Sequence, residues 1–177
     1  GYASFAQGED GQWYAWGDNF YSTTNNSSLP NSAFRFANGP TPIDQGGVPA
    51  GRRIVEVSAG YDYGCDGATY LDDEGDLYAS GAWQWLAASS HYGCQNVKEI
   101  AQANSLGAPV PIIAENGVKF RKLGSAGHGH SYAIGTDDLI YRLKHWQAGY
   151  NEPFLLDATP LPAPQFTPAE VASSYAN

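Results

Sequence analysis

The chain has 177 residues, enough for about one domain with a sizeable core. Nine basic residues stand against 18 acidic ones, giving a formal net charge of −9, so DNA and acidic membrane faces repel the chain and nucleic-acid roles drop out. Only 15% of residues are charged, 14% are aromatic, and there are 21 Gly and 11 Pro, which suits an all-β, turn-rich protein outside the cell and argues against helical bundles and disorder.

Strand signals dominate from the first residues onward. Ser4-Phe5-Ala6-Gln7 and Trp13-Tyr14-Ala15-Trp16 flank Asp10-Gly11, a tight-turn dipeptide in which Gly tolerates positive φ. Residues 18–40 are rich in Asn, Ser and Thr, and the sequons at Asn25 and Asn26 matter only in a eukaryotic secretory route. Thr41-Pro42-Ile43 predicts a proline-marked edge strand. Residues 53–60 predict another strand, ending in the small run Ser58-Ala59-Gly60. A second hairpin follows over 68–81, turning at Glu74-Gly75.

Residues 81–107 carry Trp83, Trp85, His91, Tyr92 and Cys94, and within them residues 97–103 allow a helical turn or two, as do residues 168–172 near the C-terminus. Ala108-Pro109-Val110-Pro111-Ile112 repeats the proline-marked strand, and residues 119–127 repeat the strand ending in Ser-Ala-Gly. A third hairpin is expected over 131–143. Residues 152–168, with Pro153, Pro160, Pro162, Pro164 and Pro168, read as an extended arm. Residues 170–175 give a weaker copy of the Val-rich strand.

Tyr14, Tyr78 and Tyr141 thus recur at spacings of 64 and 63 residues. The chain is expected to be one repeat domain with units at about 1–60, 61–127 and 128–177. Fixed-period strand repeats signal a propeller or solenoid.

The order Pro-x-Pro-Ile, Val-x-Val-Ser-Ala-Gly, hairpin, Trp-Gly-x-Asn resembles the repeat of the regulator of chromosome condensation family. Trp16-Gly17-Asp18-Asn19 and Gly127-His128-Gly129-His130-Ser131 are its clearest copies, the latter similar to the family's Gly-x-x-His-Ser corner. The family's Gly-Gln-Leu-Gly ending is missing, and Ser80 and Arg142 stand where Trp is expected. The resemblance implies an all-β fold of β-propeller blades serving as a binding platform, usually of seven blades. Its exchange-factor role finds no support in the acidic composition, and the plant photoreceptor's Gly-Trp-Arg-His-Thr motif is missing. Propellers need at least about four blades, so three repeats leave an incomplete ring unless another chain or further residues complete it. Residues 170–175 match the strand that should precede the first hairpin, so one blade is expected to combine strands from both ends, within a chain or between neighbours.

Chemistry-bearing patterns are sparse. Cys65 and Cys94 form an even pair suited to a disulfide in an oxidising compartment, with two buried free thiols as the alternative. His128 and His130 share a strand face, but no further ligand stands nearby in sequence, and His130 is expected to serve as a corner residue rather than a metal ligand. Asp62, Asp66, Asp72, Asp73, Glu74 and Asp76 lack calcium-loop spacing and read as a solvated acidic turn. No nucleophile elbow, zinc-protease motif or phosphate loop occurs, so neither enzyme activity nor a cofactor is expected. Trp83 and Trp85 offer rigid contact area for a ligand, together with His91 and Tyr92, or else pack between blades.

The chain lacks Met and the ~18-residue apolar run of a membrane span, so it is read as a mature product, an excised fragment or a recombinant segment without membrane insertion. The leading expectation is a secreted or cell-surface, non-enzymatic binding and adhesion module for a protein or glycan, alongside neighbouring subunits or further repeats. A structural subunit of an extracellular filament or virion, joined through blade edges and the proline arm, comes second, and a polysaccharide-active enzyme third.

Overall fold

The computed structural model describes residues 3–18, 36–43, 45, 47–62, 65–81, 110–124, 131–146 and 154–171. Among these residues every regular element is a strand, as the composition predicts. The first unit is an antiparallel meander of β1 (Ala3–Gln7), β2 (Trp13–Asp18) and β3 (Phe36–Pro42). The second unit joins β4 (Ile54–Asp62), β5 (Cys65–Asp72), β6 (Leu77–Gly81) and β7 (Val110–Ala114). The third joins β8 (Phe120–Leu123), β9 (Ser131–Gly135), β10 (Ile140–Trp146) and β11 (Phe154–Pro160).

The three expected hairpins are β1–β2, β5–β6 and β9–β10, and their turns share one geometry. Gly8 N–H donates to Gln12 O, Asp72 N–H to Asp76 O and Gly135 N–H to Leu139 O. One position in each turn has positive φ: Gly11 at 79°, Gly75 at 83° and Asp138 at 64°. Glycine meets this demand twice, and in the third turn an aspartate takes it, one of the few side chains that tolerate the left-handed region. These bonds align Trp13 with Leu77 and Ile140, and Tyr14 with Tyr78 and Tyr141.

The second and third units form one eight-stranded sheet, in the order β4-β5-β6-β7-β11-β10-β9-β8. Its middle is a parallel seam in which Phe154, Leu155 and Leu156 of β11 face Ile112, Ile113 and Ala114 of β7. The proline-marked strands therefore differ. Pro42 lies in β3, the outer strand of the first sheet, as an edge proline should. β7 is instead an interior strand, and Pro111 is tolerated because it precedes the stretch that pairs with β11.

At the far ends of this sheet β4 and β8 meet again. Ser58 Oγ donates to Gly124 O (2.8 Å), Leu123 N–H to Glu56 Oε2 (2.6 Å), and Lys122 pairs with Glu56 (2.8 Å). The two units thus make a wedge, joined outside by backbone and inside by side chains. Leu71, Leu77, Ala79, Phe120, Leu123, Tyr141 and Leu143 fill it. Ring edges meet there too, with Phe120 and Tyr141 at 5.8 Å and 87°. A second cluster, including Ala15, Ile43, Ile54, Tyr70 and Tyr78, packs the first unit on the opposite face of the second. Both faces of the second unit are thus covered by its neighbours, the reason repeats of this kind stack.

Residues 161–171 run on from β11 without regular structure. Leu161 N–H donates to Ile140 O, and Arg121 Nη2 to Pro168 O (2.6 Å). Pro168 is buried, and a Cβ on Gly124 would stand 2.7 Å from Val171 Cγ1. Residues 168–171 therefore lie against the third unit, and of the strand copy expected over 170–175 the remainder lies outside the described residues.

Candidate functional site: a cleft between the second and third units

In each hairpin turn a carboxylate clasps the repeated tyrosine. Tyr14 OH donates to Asp10 Oδ2 (2.8 Å), Tyr78 OH to Asp72 Oδ2 (2.9 Å) and Tyr141 OH to Asp137 Oδ2 (2.6 Å). The other carboxylate oxygen accepts backbone N–H groups: Gln12 in the first turn, Glu74 and Asp76 in the second, Leu139 in the third. Donors stabilise the ionised acid. Asp10 is accordingly held below the usual carboxylate range by Gln12 N–H and Tyr14, and Asp137 by Tyr141 and Leu139 N–H. The tyrosines move the opposite way: the bond to Asp137 pushes Tyr141 up to about 12, while burial, then Asp72, pushes Tyr78 up to about 12.

The second turn achieves this from a different position. Aspartate stands third in the first and third turns, at Asp10 and Asp137, where the second has Glu74. Asp72 instead occupies the place of Gly8 and Gly135, and its side chain is 0% exposed. The acidic run is therefore solvated at Asp73 and Glu74, as its composition suggests, but not at Asp72. Asp72 is enclosed by its donors, and Asp62 and Asp66 sit at the opposite end of the β4–β5 pair. Among the described residues no group of three His, Cys, Asp or Glu side chains is placed to hold a metal ion.

Moving the carboxylate recruits cations. Arg52 Nη1 reaches both Asp72 (3.1 Å) and Asp76 (2.5 Å), and Lys119 Nζ pairs with Asp76. Burial raises the pKa of Asp76, but Lys119 and Arg52 outweigh it and the net shift is downward. Arg52 is raised by the same bonds, Asp76 first. These three side chains border a cleft of about 350 Å³ whose walls include Pro111, Ile113 and Val118. Ile113 is 52% exposed. Apolar walls with a few placed charges are the usual make-up of a recognition pocket.

Trp83, Trp85, His91 and Tyr92, the ligand residues expected from sequence, lie outside the described residues, as do His128 and His130. Cys65 opens β5 opposite Asp62, and its expected partner Cys94 also lies outside them. The cleft escapes sequence reading because its walls come from four separate segments. Asp72, however, has a signal, since aligning the three turns shows an acid where the others have Gly.

No protein-family model matches the chain, and no curated protein matches its sequence. Solved structures do match. Yeast RCC1 (Prp20) bound to Kap60 superposes with a TM-score of 0.51 at 17% identity, over 80% of this chain and 30% of that one. Prp20p from Saccharomyces cerevisiae, in a structure described with its binding to Gsp1p and histones, gives 0.52 at 18% identity, over 80% and 31%. The fold is that of RCC1-type propeller blades. The chain spans about three tenths of those proteins' length, and the two sheets of its described residues do not close on themselves, in agreement with the all-β, unclosed propeller expected from the repeats.

Proposed function

We propose that the chain is a non-enzymatic binding module that presents the junction of its second and third blades to a protein partner outside the cell. The cleft carries this reading. Its walls are apolar, and the carboxylates beside it are engaged by structural donors and cations, which leaves them poorly suited to proton transfer. Prp20 is described with Kap60, Gsp1p and histones, which supports proteins as the partner class. Low charge, acidity and the cysteine pair support an extracytoplasmic setting and an adhesive role.

The test is to screen the chain against arrays of extracellular proteins and of glycans, and against a polysaccharide panel assayed for released reducing sugar. Saturable binding to a protein is expected. Sugar release, or binding confined to glycans, overturns the reading. A structural subunit remains the second reading, favoured by Phe166, 68% exposed on the segment after β11. Light scattering decides between them, because a monodisperse monomer removes the assembly.

A further inference from the structure

The three turns are equivalent, but the spaces beside them are not. At the junction of the first and second blades, the place of Leu77 is taken by Trp13. Its indole Nε1 donates to Ile54 O (3.1 Å), and its ring packs on the core with Val48. Val48 belongs to the link between Ile43 and Ile54, in which ten residues intervene. The corresponding link from Ile112 to Phe120 has seven; its Val118 packs on the neighbouring core cluster but leaves the cleft that it lines unfilled. A smaller side chain and a shorter link therefore leave open, at the second junction, the space that the first junction fills from its own chain. That space is the cleft of about 350 Å³.

Its rim has a definite charge. Asp72 is engaged by two backbone N–H groups and Tyr78 OH in addition to Arg52. The outward carboxylate facing the cleft is Asp76, and it serves two cations, Arg52 and Lys119. Two cations share one such acid here, on a chain of net charge −9. A volume near the lower end of ligand pockets, ~300–1,000 Å³, suits one or two side chains better than a large cofactor.

We infer that this cleft receives an extended segment of a partner protein, which inserts one bulky apolar side chain where the first junction holds Trp13 and Val48, and sets a carboxylate against Lys119 and Arg52. The inference rests on the binding-module reading and specifies its partner. Charge complementarity fixes the sign of the flanking residue, and the filled first junction fixes the apolar character of the anchor.

The experiment uses the full chain and an array of dodecapeptides. Each has Ala, Val, Leu or Trp at its centre, two Asp or two Lys as flanks, and Gly and Ser elsewhere. Binding that strengthens from Ala to Leu and Trp, with Asp flanks favoured at least tenfold over Lys flanks, is expected. Leu77→Trp, which gives the second junction the first junction's own filler, should weaken binding at least tenfold, and Lys119→Glu should reverse the flank preference. Should Leu77→Trp fail to fold, Ile113→Asp on the exposed rim takes its place, with melting confirming the fold. Indifference to the central residue, or a flank preference that survives Lys119→Glu, overturns the inference. If the array is silent while the chain binds another protein elsewhere, the inference falls and the module reading stands. If the chain binds no protein and releases sugar, the reading beneath it falls as well.

Discussion

The two junctions of this molecule solve one packing problem differently. The first is filled from within by Trp13 and Val48, and the second keeps a cleft edged by Arg52, Asp76 and Lys119. Since the turns beside them superpose bond for bond, the difference owes nothing to the hairpin backbone. It comes from one side chain, one link length and the relocation of one carboxylate. Blade repetition fixes the scaffold, and small departures from the repeat create individuality, as expected where function is grafted onto a common fold.

The sharpest way to break this comparison is through Asp72. Replacing it by Asn takes the buried charged acceptor from the turn donors and Tyr78 and leaves Arg52 with Asp76 alone, and about 3 kcal/mol of stability should be lost, read by urea unfolding. Asp137→Asn in the third turn, where the carboxylate is exposed, should cost much less. Equal losses would show that the second turn is not specialised.

Glycine at the positive-φ position gives the next contrast. A Cβ on Gly75 would stand 2.7 Å from Phe120 O, whereas one on Gly11 meets nothing within 4 Å. Gly75→Ala should cost about 3 kcal/mol and Gly11→Ala about 1 kcal/mol, the backbone conformation alone accounting for the smaller figure. Trp13→Leu should cost about 2 kcal/mol and open at the first junction a cleft like that at the second, detectable by small apolar probes in solution NMR.

The smallest effects are those of pH. Tyr78 and Tyr141 have folded pKa values of about 12 against an ordinary 10, so the folded state favours the protonated phenol. Their contribution is fully present below pH ~10 and is lost as pH rises through ~12. Absorbance near 295 nm should show a late-titrating phase, which Asp137→Asn moves earlier for Tyr141. For Asp10, Asp76 and Asp137, lowered in the folded state, the contribution is present above pH ~4 and is lost as pH falls through their folded values.

Much of the scaffold was legible because its signals are local. Asp10-Gly11 and Glu74-Gly75 announce their turns, since few residues accept positive φ, and the recurrence of Tyr14, Tyr78 and Tyr141 reports the repeat. The parallel seam was not legible, because β7 and β11 are separated by the whole third hairpin and no short-range pattern records their pairing. Phe154–Pro160 forms a strand, although the prolines beyond it dominate the sequence impression of that stretch. Asp72 was read as one of several surface acids because composition cannot distinguish a carboxylate that caps its own turn from one that faces water. Alignment of the turns makes that distinction.

The seam between β7 and β11 also sets how the molecule comes apart. Blades two and three share a continuous backbone ladder, while the first blade has a sheet of its own and is attached through side chains and the link to β4. Pulled at its ends or warmed, the chain should shed the first blade as a separate event and release the other two together. Amide exchange should follow the same order, with Ala6 and Ala15 surrendering their deuterons before Ala79 and Ala133.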